Sequence, residues 1–585
     1  MAECNERGGW HGAVTFRRAD GVTVACSGST CAIYRPGTIN LITIYSTHDG
    51  AAHANPFTLD ANGQADFYID AVDCIFDMFI TSPAGVHAPF RRENQTVWVA
   101  DMSPWPHDMD ADGYMLTRLG AFLGVPMITA YDNDLQDAVT RLAAVATAGV
   151  IILPAGDYAL ANTVDLTAGG TIEDLHFVGY GPDTFIYPAA AGFNGSLVEF
   201  TAGLARLKRF TISDMRFGGR SFVAVYRALM TAYCQEINIS RIWAHDFMGV
   251  VGPLASADGI RVGATAANGE SHTTNISDVF VSNVNRNGIT VSSGTRVKIR
   301  GGNFDSCQLY GIDIEPWLGG AANLAREVHI EDCTADSCEH GFGVVNDDDT
   351  SASTRRDYKM VNCTAKSSTS FGFVLAGGRS IDLVGCDTES SGVAGINITN
   401  CNGVRILGGN HRADDTGIRL GTRPAGAAGE AVWITTKNDN IEIIGVMCEG
   451  CVADGIKITE DIPALGATPL TAAQRHIGII DCNLIDNGGV GVDVTVSVTY
   501  GGLRLRLLGN VLNGNALWGF YIHPAAGAIA GNHVTIGQNY AEGHAGSDYF
   551  VGIGVFAFSL LVSEKVGAAG AVLPANSGDN VGTFV

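Results

Sequence analysis

The chain has 585 residues and a formal net charge of −24, with 74 Gly residues and only 16% charged residues. This balance suits many short strands joined by tight turns better than helices rich in Lys and Glu. The negative charge argues against DNA or RNA as the main partner. The longest apolar run, at 551–562, is too short for a membrane-spanning helix, and the N-terminal sequence MAECNERGGWHG lacks the pattern of a secretory signal.

The first 105 residues contain short alternating strands, such as AVTFRR, TINLITIY and TVWVA, and a DANG turn that is a hairpin signal. They predict a small separate β-domain over 1–105. The Pro- and Asp-rich stretch DMSPWPHDMDADG then indicates a neck or linker, which we assign to 106–130.

Residues 132–147 predict a helix, because Leu135, Val139, Leu142 and Ala146 share one face and Asp132 or Asn133 can cap it. The sequence GVIILPAGDYAL follows and reads as a buried strand and a turn. A helix placed before this strand would cover the open end of a stack of strands.

From residue 259 onward a Gly–apolar–x–apolar tetrapeptide recurs at intervals averaging about 29 residues. A second alternating strand precedes most copies by about 14 residues, and no helical periodicity is present. The pattern predicts an all-β parallel β-helix over 131–535, whose coils bury one continuous core only when stacked. After about residue 535 the repeat fades, and 536–585 form a separate tail. The copies are GIRV 259, GITV 288, GIDI 311, GFGV 341, GFVL 372, GINI 395, GIRL 417, GIKI 455, GVDV 491 and GFYI 519.

The cysteines support the same register. Four lie three residues after an apolar strand position of their coil, and three others lie three or four residues before the repeated Gly. Stacked coils turn each set into a column of inward thiols that act as small buried apolar groups, with disulfides between coils as the alternative. The sets are Cys333, Cys363, Cys386 and Cys482, and Cys307, Cys338 and Cys451.

Two segments carry a family resemblance. DNDLQDAVTRLAAVATAGVIILPAGDYAL resembles the opening motif of the pectate-lyase-like β-helix superfamily, in which a helix precedes a V-x-L-P-x-G-x-Y strand and turn. NPFTLDANGQADFYIDA looks like the N-terminal module of bacteriophage tail fibres and tailspikes. The resemblance covers roughly residues 40–530.

This resemblance implies a right-handed parallel β-helix in a homotrimeric phage tailspike, with a short trimerisation region at 536–585. The N-terminal domain would attach to tail or baseplate proteins, and the β-helix would bind and depolymerise a bacterial surface polysaccharide. The protein would be made in the host cytoplasm, belong to the virion and act outside the cell. We expect no cofactor, no metal, no nucleic acid and no membrane insertion.

The stretch GIDIEPW at 311–317 holds the catalytic candidates, Asp313 and Glu315. Alternation on a strand places both acids on one outward surface, with Thr290 and Gly343 as small neighbours in the adjoining coils. Residues two apart on a strand are separated by roughly 6.5–7 Å, and rotamers can set the two carboxyls at retaining or inverting separations. Glycoside hydrolysis needs one protonated acid and one ionised partner, which repulsion between close carboxylates helps to create. The alternative is an ordinary pair of solvated strand acids.

Other residues near this strand are candidates for substrate binding. Trp317 and Tyr310 could stack on sugar rings, and His340 could shuttle a proton or simply belong to a turn. The loop NDDDTS could supply a further acid or a cation site, or be a solvated turn, and the arginines after it could hold an anionic group. The candidates in this loop region are Asp347, Asp348 and Arg355.

Three functions fit these observations. A glycoside hydrolase ranks first, because we expect no basic residue beside the acid pair to act as the base of a polysaccharide lyase. The lyase on the same fold ranks second. A non-catalytic receptor-binding or structural tail fibre is the third.

Overall fold

The computed structural model divides into two compact units, residues 1–122 and 123–585. The described residues are 7–13, 15–17, 23–25, 28–34, 40–45, 52–61, 64–70, 75–81, 90–96, 115–116, 127–129, 135–166, 172–201, 207–222, 225–232, 234–249, 257–263, 271–315, 325–345, 357–399, 401–420, 439–459, 475–496, 503–524, 532–545, 549–551, 556–560, 565–566 and 571–572.

The N-terminal unit is built from antiparallel strands, which confirms its predicted β character. Two four-stranded sheets and a two-stranded hairpin account for ten of its strands. The first sheet contains Arg7–Ala13, Gln64–Asp70, Ile44–Tyr45 and Ala52–His53, the second Phe90–Thr96, Ile75–Thr81, Thr30–Tyr34 and Phe57–Thr58, and the hairpin Thr15–Arg17 and Thr23–Ala25; Met115–Leu116 is a further short strand.

The second unit is a right-handed parallel β-helix, as predicted. Each full coil contributes one strand to each of three faces, here called A, B and C in chain order, and every strand pairs in parallel with its counterpart in the next coil. Ile, Val, Leu and Phe alternate inward on all three faces and are buried. Two long strands, Leu207–Gly218 and Cys234–Phe247, run through faces A and B without a break.

The strands follow chain order within each face. Face A contains Met127–Thr129, Ala148–Ile152, Asp174–Val178, Thr273–Ser277, Gly294–Arg300, Ala325–Glu331, Tyr358–Val361, Arg379–Val384, Asn402–Leu407, Asp439–Ile444, Arg475–Ile480, Leu503–Leu508, Asn532–Gly537 and Phe556–Leu560. Face B contains Gly156–Leu160, Thr184–Pro188, Phe280–Val284, Asn303–Cys307, Thr334–Asp336, Thr364–Lys366, Asp387–Glu389, Asn410–Arg412, Met447–Glu449, Asn483–Ile485, Val511–Asn513, Tyr540–Glu542 and Lys565–Val566. Face C contains Val164–Asp165, Gly195–Thr201, Val225–Ala232, Asp258–Gly263, Ile289–Val291, Tyr310–Ile314, His340–Val345, Phe371–Ala376, Ala394–Thr399, Ile418–Leu420, Ile456–Thr459, Val492–Val496, Phe520–Pro524, Tyr549–Val551 and Ala571–Val572.

The coils bend at residues with positive φ. The bend between faces A and B includes Asp332 (φ 53°) and Asn362 (φ 52°), which stack in successive coils with a 3.3 Å hydrogen bond from Asn362 Nδ2 to Asp332 Oδ1. Asn and Asp tolerate this left-handed conformation better than bulky residues do, so they mark the corner where a strand must turn sharply.

The cysteine columns form as predicted. Both sets point into the core and are buried, and their side chains are free thiols rather than disulfides. Burial raises the pKa of the Cys482 thiol to about 11, so the group stays neutral and packs as a small apolar side chain.

The N-terminal helix spans Leu135–Val145, slightly shorter than the predicted 132–147. Its buried face includes Leu135, Val139 and Leu142, as predicted. The Gln136 side chain accepts a 2.7 Å hydrogen bond from the Asp165 backbone N–H and donates a 3.2 Å bond to the Asp165 carbonyl. The helix therefore satisfies backbone groups of the first face C strand, which would otherwise be an open edge.

The coils continue further than the sequence pattern indicated. Parallel pairs join Asn532–Gly537 to Phe556–Leu560 and Tyr549–Val551 to Ala571–Val572. The repeated Gly motif stops near residue 520, but ladder hydrogen bonds need only an extended backbone in register, so pairing persists without the motif.

We predict that truncating a stacked inward aromatic will destabilise the coils. Phe342 is fully buried and stacks on Phe373 of the next coil, with ring centroids 5.0 Å apart. Phe342→Ala should lower the free energy of unfolding by about 3–5 kcal/mol. Leu517→Ala, at a side chain that is 46% exposed, is the matched control and should change it by less than about 0.5 kcal/mol. Denaturant unfolding measures both, and equal effects would contradict the assigned core.

Candidate functional site

The strand Tyr310–Ile314 lies in the middle of face C, and its register confirms the predicted outward column. Asp313 pairs with Thr290 in the preceding coil and with Gly343 in the following one. The Glu315 backbone N–H continues the ladder with a 3.0 Å hydrogen bond to the Val291 carbonyl. The two acids therefore leave the sheet on its outer side, as alternation predicts.

The two carboxyl groups do not share one environment, contrary to the expectation of two solvent-facing acids. The Asp313 side chain is only 2% exposed, whereas that of Glu315 is 37% exposed. Burial raises the pKa of Asp313 well above its usual range, and the nearby Glu315 carboxylate raises it further. The neutral, proton-bearing form of Asp313 is thereby favoured.

Asn287 fixes the orientation of the Asp313 carboxyl group. Its Nδ2 donates 2.9 Å hydrogen bonds to Asp313 Oδ2 and to Thr290 Oγ1, and its Oδ1 accepts a 3.1 Å bond from the Tyr310 backbone N–H. Because Oδ2 already accepts a hydrogen bond, the proton of a neutral Asp313 belongs on Oδ1. Oδ1 is shielded from solvent and has no hydrogen-bond partner among the described residues.

Arg286 links the acids to one another. Its Nη2 contacts Glu315 Oε2 and lies 4.0 Å from Asp313 Oδ2, while its Nη1 lies 3.5 Å from Asp258 Oδ1. Burial by itself would lower the pKa of Arg286, but the three surrounding carboxyl groups outweigh burial and raise it. Arg286 therefore stays charged and cannot serve as a base.

A fully buried aspartate anchors the rest of the cluster. Asp258 lies 3.6 Å from Arg227 Nε and 3.9 Å from Arg261 Nη1, in addition to its contact with Arg286. Three arginines thus converge on Asp258, and one of them, Arg286, also contacts the acid pair. The expectation that this part of the sheet lacks basic residues was wrong.

Sequence reasoning missed most of this cluster because it followed only the positions after each repeated Gly. The position immediately before that Gly also forms an outward column, which holds Asp258, Asn287, Tyr310, His340 and Phe371. Reading that second column would have found the aspartate and the asparagine. Arg286 lies in a turn outside the strand period, so no alternation pattern places it.

Tyr310 and His340 lie beside the acids in this second column. Their ring centroids are 4.6 Å apart, and His340 stacks on Phe371 at 5.4 Å. Gly343 does not leave an open space for a sugar, because a Cβ there would come within 2.7 Å of the Tyr310 ring. Both rings are buried, so their contact with a glycan stays a prediction.

Four other predicted site residues lie outside the described residues. They are Trp317, Asp347, Asp348 and Arg355.

Two further features of the described residues bear on function. No group of three or more His, Cys, Asp and Glu side chains there is arranged to hold a metal ion. Within the same residues, no helix has the length and apolar character to cross a membrane.

A separate groove of about 1180 Å³ runs along face A, away from the acid pair. Some of its charged side chains pair with one another, as where Arg405 donates 2.8 and 2.6 Å hydrogen bonds to the Asp382 carboxylate. None of the acidic side chains that line it is buried as Asp313 is. We therefore place the candidate chemistry on face C rather than in the groove on face A.

Comparisons with known proteins give distant structural likenesses only. No family model and no curated protein matches the chain. The catalytic unit of a GH87 α-1,3-glucanase from Streptomyces thermodiastaticus is similar at 11% identity and a TM-score of 0.42, covering 90% of this chain and 88% of that one. Tailspike protein 3 of bacteriophage CBA120 is similar at 12% identity and a TM-score of 0.41, covering 86% and 74%. A mannuronic acid specific family 6 polysaccharide lyase from human gut microbiota gives 11% identity and 0.40, covering 65% and 86%.

We predict that removing the Arg286 guanidinium will destabilise the protein strongly. Arg286→Met leaves the fully buried Asp258 with one ion-pair partner fewer and should lower the free energy of unfolding by about 3–5 kcal/mol. Arg405→Met, in an exposed bidentate pair on face A, is the matched control and should cost about 1 kcal/mol or less. Denaturant unfolding tests both variants, and a small loss for Arg286→Met would show that the cluster is not a buried ionic network.

Proposed function

We propose that the protein is a polysaccharide depolymerase that acts by glycoside hydrolysis through Asp313 and Glu315. The observation that carries this proposal is the contrast between the two acids: Asp313 is buried with a raised pKa, while the half-exposed Glu315 forms an ion pair with Arg286. One proton-bearing acid beside one carboxylate is what glycosidic bond cleavage needs. The resemblance of the helix and strand at 132–160 to β-helix enzymes supports a polysaccharide substrate.

The roles follow from the hydrogen bonds. Asp313 would donate its Oδ1 proton to the leaving glycosidic oxygen, because Asn287 occupies Oδ2. Glu315 would activate a water molecule or attack the sugar, and Arg286 would hold its carboxylate in place as a positioning residue. Oδ1 of Asp313 is shielded from solvent. Binding of the polysaccharide must therefore displace the protein groups that cover this oxygen.

A polysaccharide lyase is the second candidate. It ranked lower on the expectation that no basic residue lies beside the acid pair, but Arg286 lies there. A lyase needs a base and a group that neutralises a substrate carboxylate. Arg227, Arg261 and Arg286 could neutralise such a carboxylate, but the raised pKa of Arg286 makes it a poor base. Hydrolysis therefore remains the better-supported chemistry.

We predict that Asp313→Asn and Glu315→Gln will each lower turnover by about 100- to 10,000-fold, with glycan binding retained. Activity of the native protein should fall as pH rises through the raised pKa of Asp313, because the general acid then loses its proton. The measurement is reducing-end release from polysaccharides of candidate host bacteria, followed across pH.

The control is Asp493→Asn, which changes an acid in the same outward column that lies 3.2 Å from Lys457. It should leave turnover unchanged. Unfolding must be measured for every variant, because Asp313 is buried. Full activity in both site variants would move the chemistry elsewhere, and products that absorb in the ultraviolet would identify a lyase.

We further propose that the chain is a homotrimeric phage tailspike, bound to tail or baseplate proteins through residues 1–105 and carried on the virion. The sequence resemblance of the N-terminal module to tail fibres supports this assembly. Light scattering of the intact protein should give three times the chain mass of 61.3 kDa. A monomer mass at micromolar concentration would contradict the trimer.

A further inference from the structure

A second cluster lies on face B, in early coils of the β-helix. Phe185 and Tyr187 alternate with the buried Ile186 on Thr184–Pro188, so both rings point outward, with centroids 4.9 Å apart. The Arg216 guanidinium carbon lies 4.0 Å from the centre of the Phe185 ring, and that of Arg220 lies 3.5 Å from the centre of the Tyr187 ring. We call these four residues the aromatic–arginine patch.

Local backbone features hold the patch in place. Gly218 leaves room for the Phe185 ring, since a Cβ there would come within 2.7 Å of it. His245 stacks on the same ring at 5.8 Å with an interplanar angle of 14°. Arg220 has a φ of 52° and is followed by Ser221 at 54°. Glycine adopts this conformation more easily, yet an arginine occupies it and places its guanidinium over Tyr187.

No carboxylate of the described residues neutralises the two arginines of the patch. Neither forms an ion pair with a carboxylate among the described residues. Two nearby acids have other partners, because Asp214 accepts 2.5 and 2.7 Å hydrogen bonds from Arg241, and Asp246 lies 2.9 Å from His245 Nδ1. In a chain with a net charge of −24, two cations that no described carboxylate pairs with thus lie against two aromatic rings.

The outward column of Phe185 continues this surface along the coils. Register places Arg216, Trp243 and Phe280 after Phe185 in consecutive coils. Phe280 is 38% exposed and Trp243 is half-buried. With coils about 4.8 Å apart, four positions span roughly 14 Å, enough for more than one sugar ring.

We propose that the aromatic–arginine patch is a binding site for an acidic saccharide, separate from the acid pair on face C. Planar guanidinium groups pair with carboxylates through two parallel hydrogen bonds, and the exposed Phe280 ring at the end of the column offers flat apolar surface to the C–H face of a sugar. Charge complementarity selects an anionic ligand, because the patch carries two positive charges and the nearby Asp214 and Asp246 have other partners. The site does not depend on the proposed hydrolysis.

The test measures binding of the full chain to an array of uronate- and sialate-containing oligosaccharides and of neutral oligosaccharides of the same length. The test variant is the double substitution Arg216→Gln and Arg220→Gln, with the exposed Arg220→Gln alone as a second variant if the double variant does not fold. Arg405→Gln on face A is the matched control, and Glu315→Gln tests independence from the acid pair. Thermal unfolding and light scattering accompany each protein.

We expect at least one acidic oligosaccharide to bind the native chain, Arg405→Gln and Glu315→Gln alike, and to bind the double variant about tenfold more weakly or worse. Binding of the acidic oligosaccharide should weaken with added salt. The neutral oligosaccharide of the same length should bind the native chain and all variants with equal affinity. The proposal is overturned if no acidic oligosaccharide separates the native chain from the patch variants. It is also overturned if the substitutions change the mass of the assembly, because the patch would then be a contact between copies of this chain.

Discussion

The in-register stacking of coils is the constraint on which the rest of this protein depends. Each backbone strand hydrogen-bonds to the equivalent strand of the next coil, so a side chain in one coil has its counterpart about 4.8 Å away. A position in the repeat therefore becomes a column along the molecule. Side chains in an inward column must be apolar or must find their hydrogen-bond partners within the core. This requirement explains the stacked Phe342 and Phe373 and the buried thiols of Cys333 and Cys363.

Stacking also determines where charges can accumulate. On face C it places Asp258, Asn287 and Asp313 in adjacent coils, close enough for one turn residue, Arg286, to contact three carboxyl groups. Two acids that are only two residues apart then have different environments, because Asp313 is buried and Glu315 is not. Asp313 is pushed toward its neutral form while Glu315 keeps a cation as its partner, a difference of environment that suits acid catalysis.

The same geometry keeps the outer surfaces of the three faces distinct. The acid pair lies on face C, the aromatic–arginine patch on face B and the long groove on face A. In the groove, positive and negative side chains of successive coils pair with each other, as Asp382 and Arg405 do. In the patch the arginines lie on aromatic rings and form no ion pair with a described carboxylate.

The sequence by itself determined the repeat, the inward positions, the cysteine columns, the N-terminal helix and the register of Asp313 with Thr290 and Gly343. It could do so because a strand has a side-chain period of two, and a fixed repeat carries this period from coil to coil. Only the tertiary structure decided that Asp313 is buried, that Arg286 joins it to Glu315 and that pairing continues beyond residue 535. These features depend on turn residues and on backbone pairing, neither of which follows the strand period.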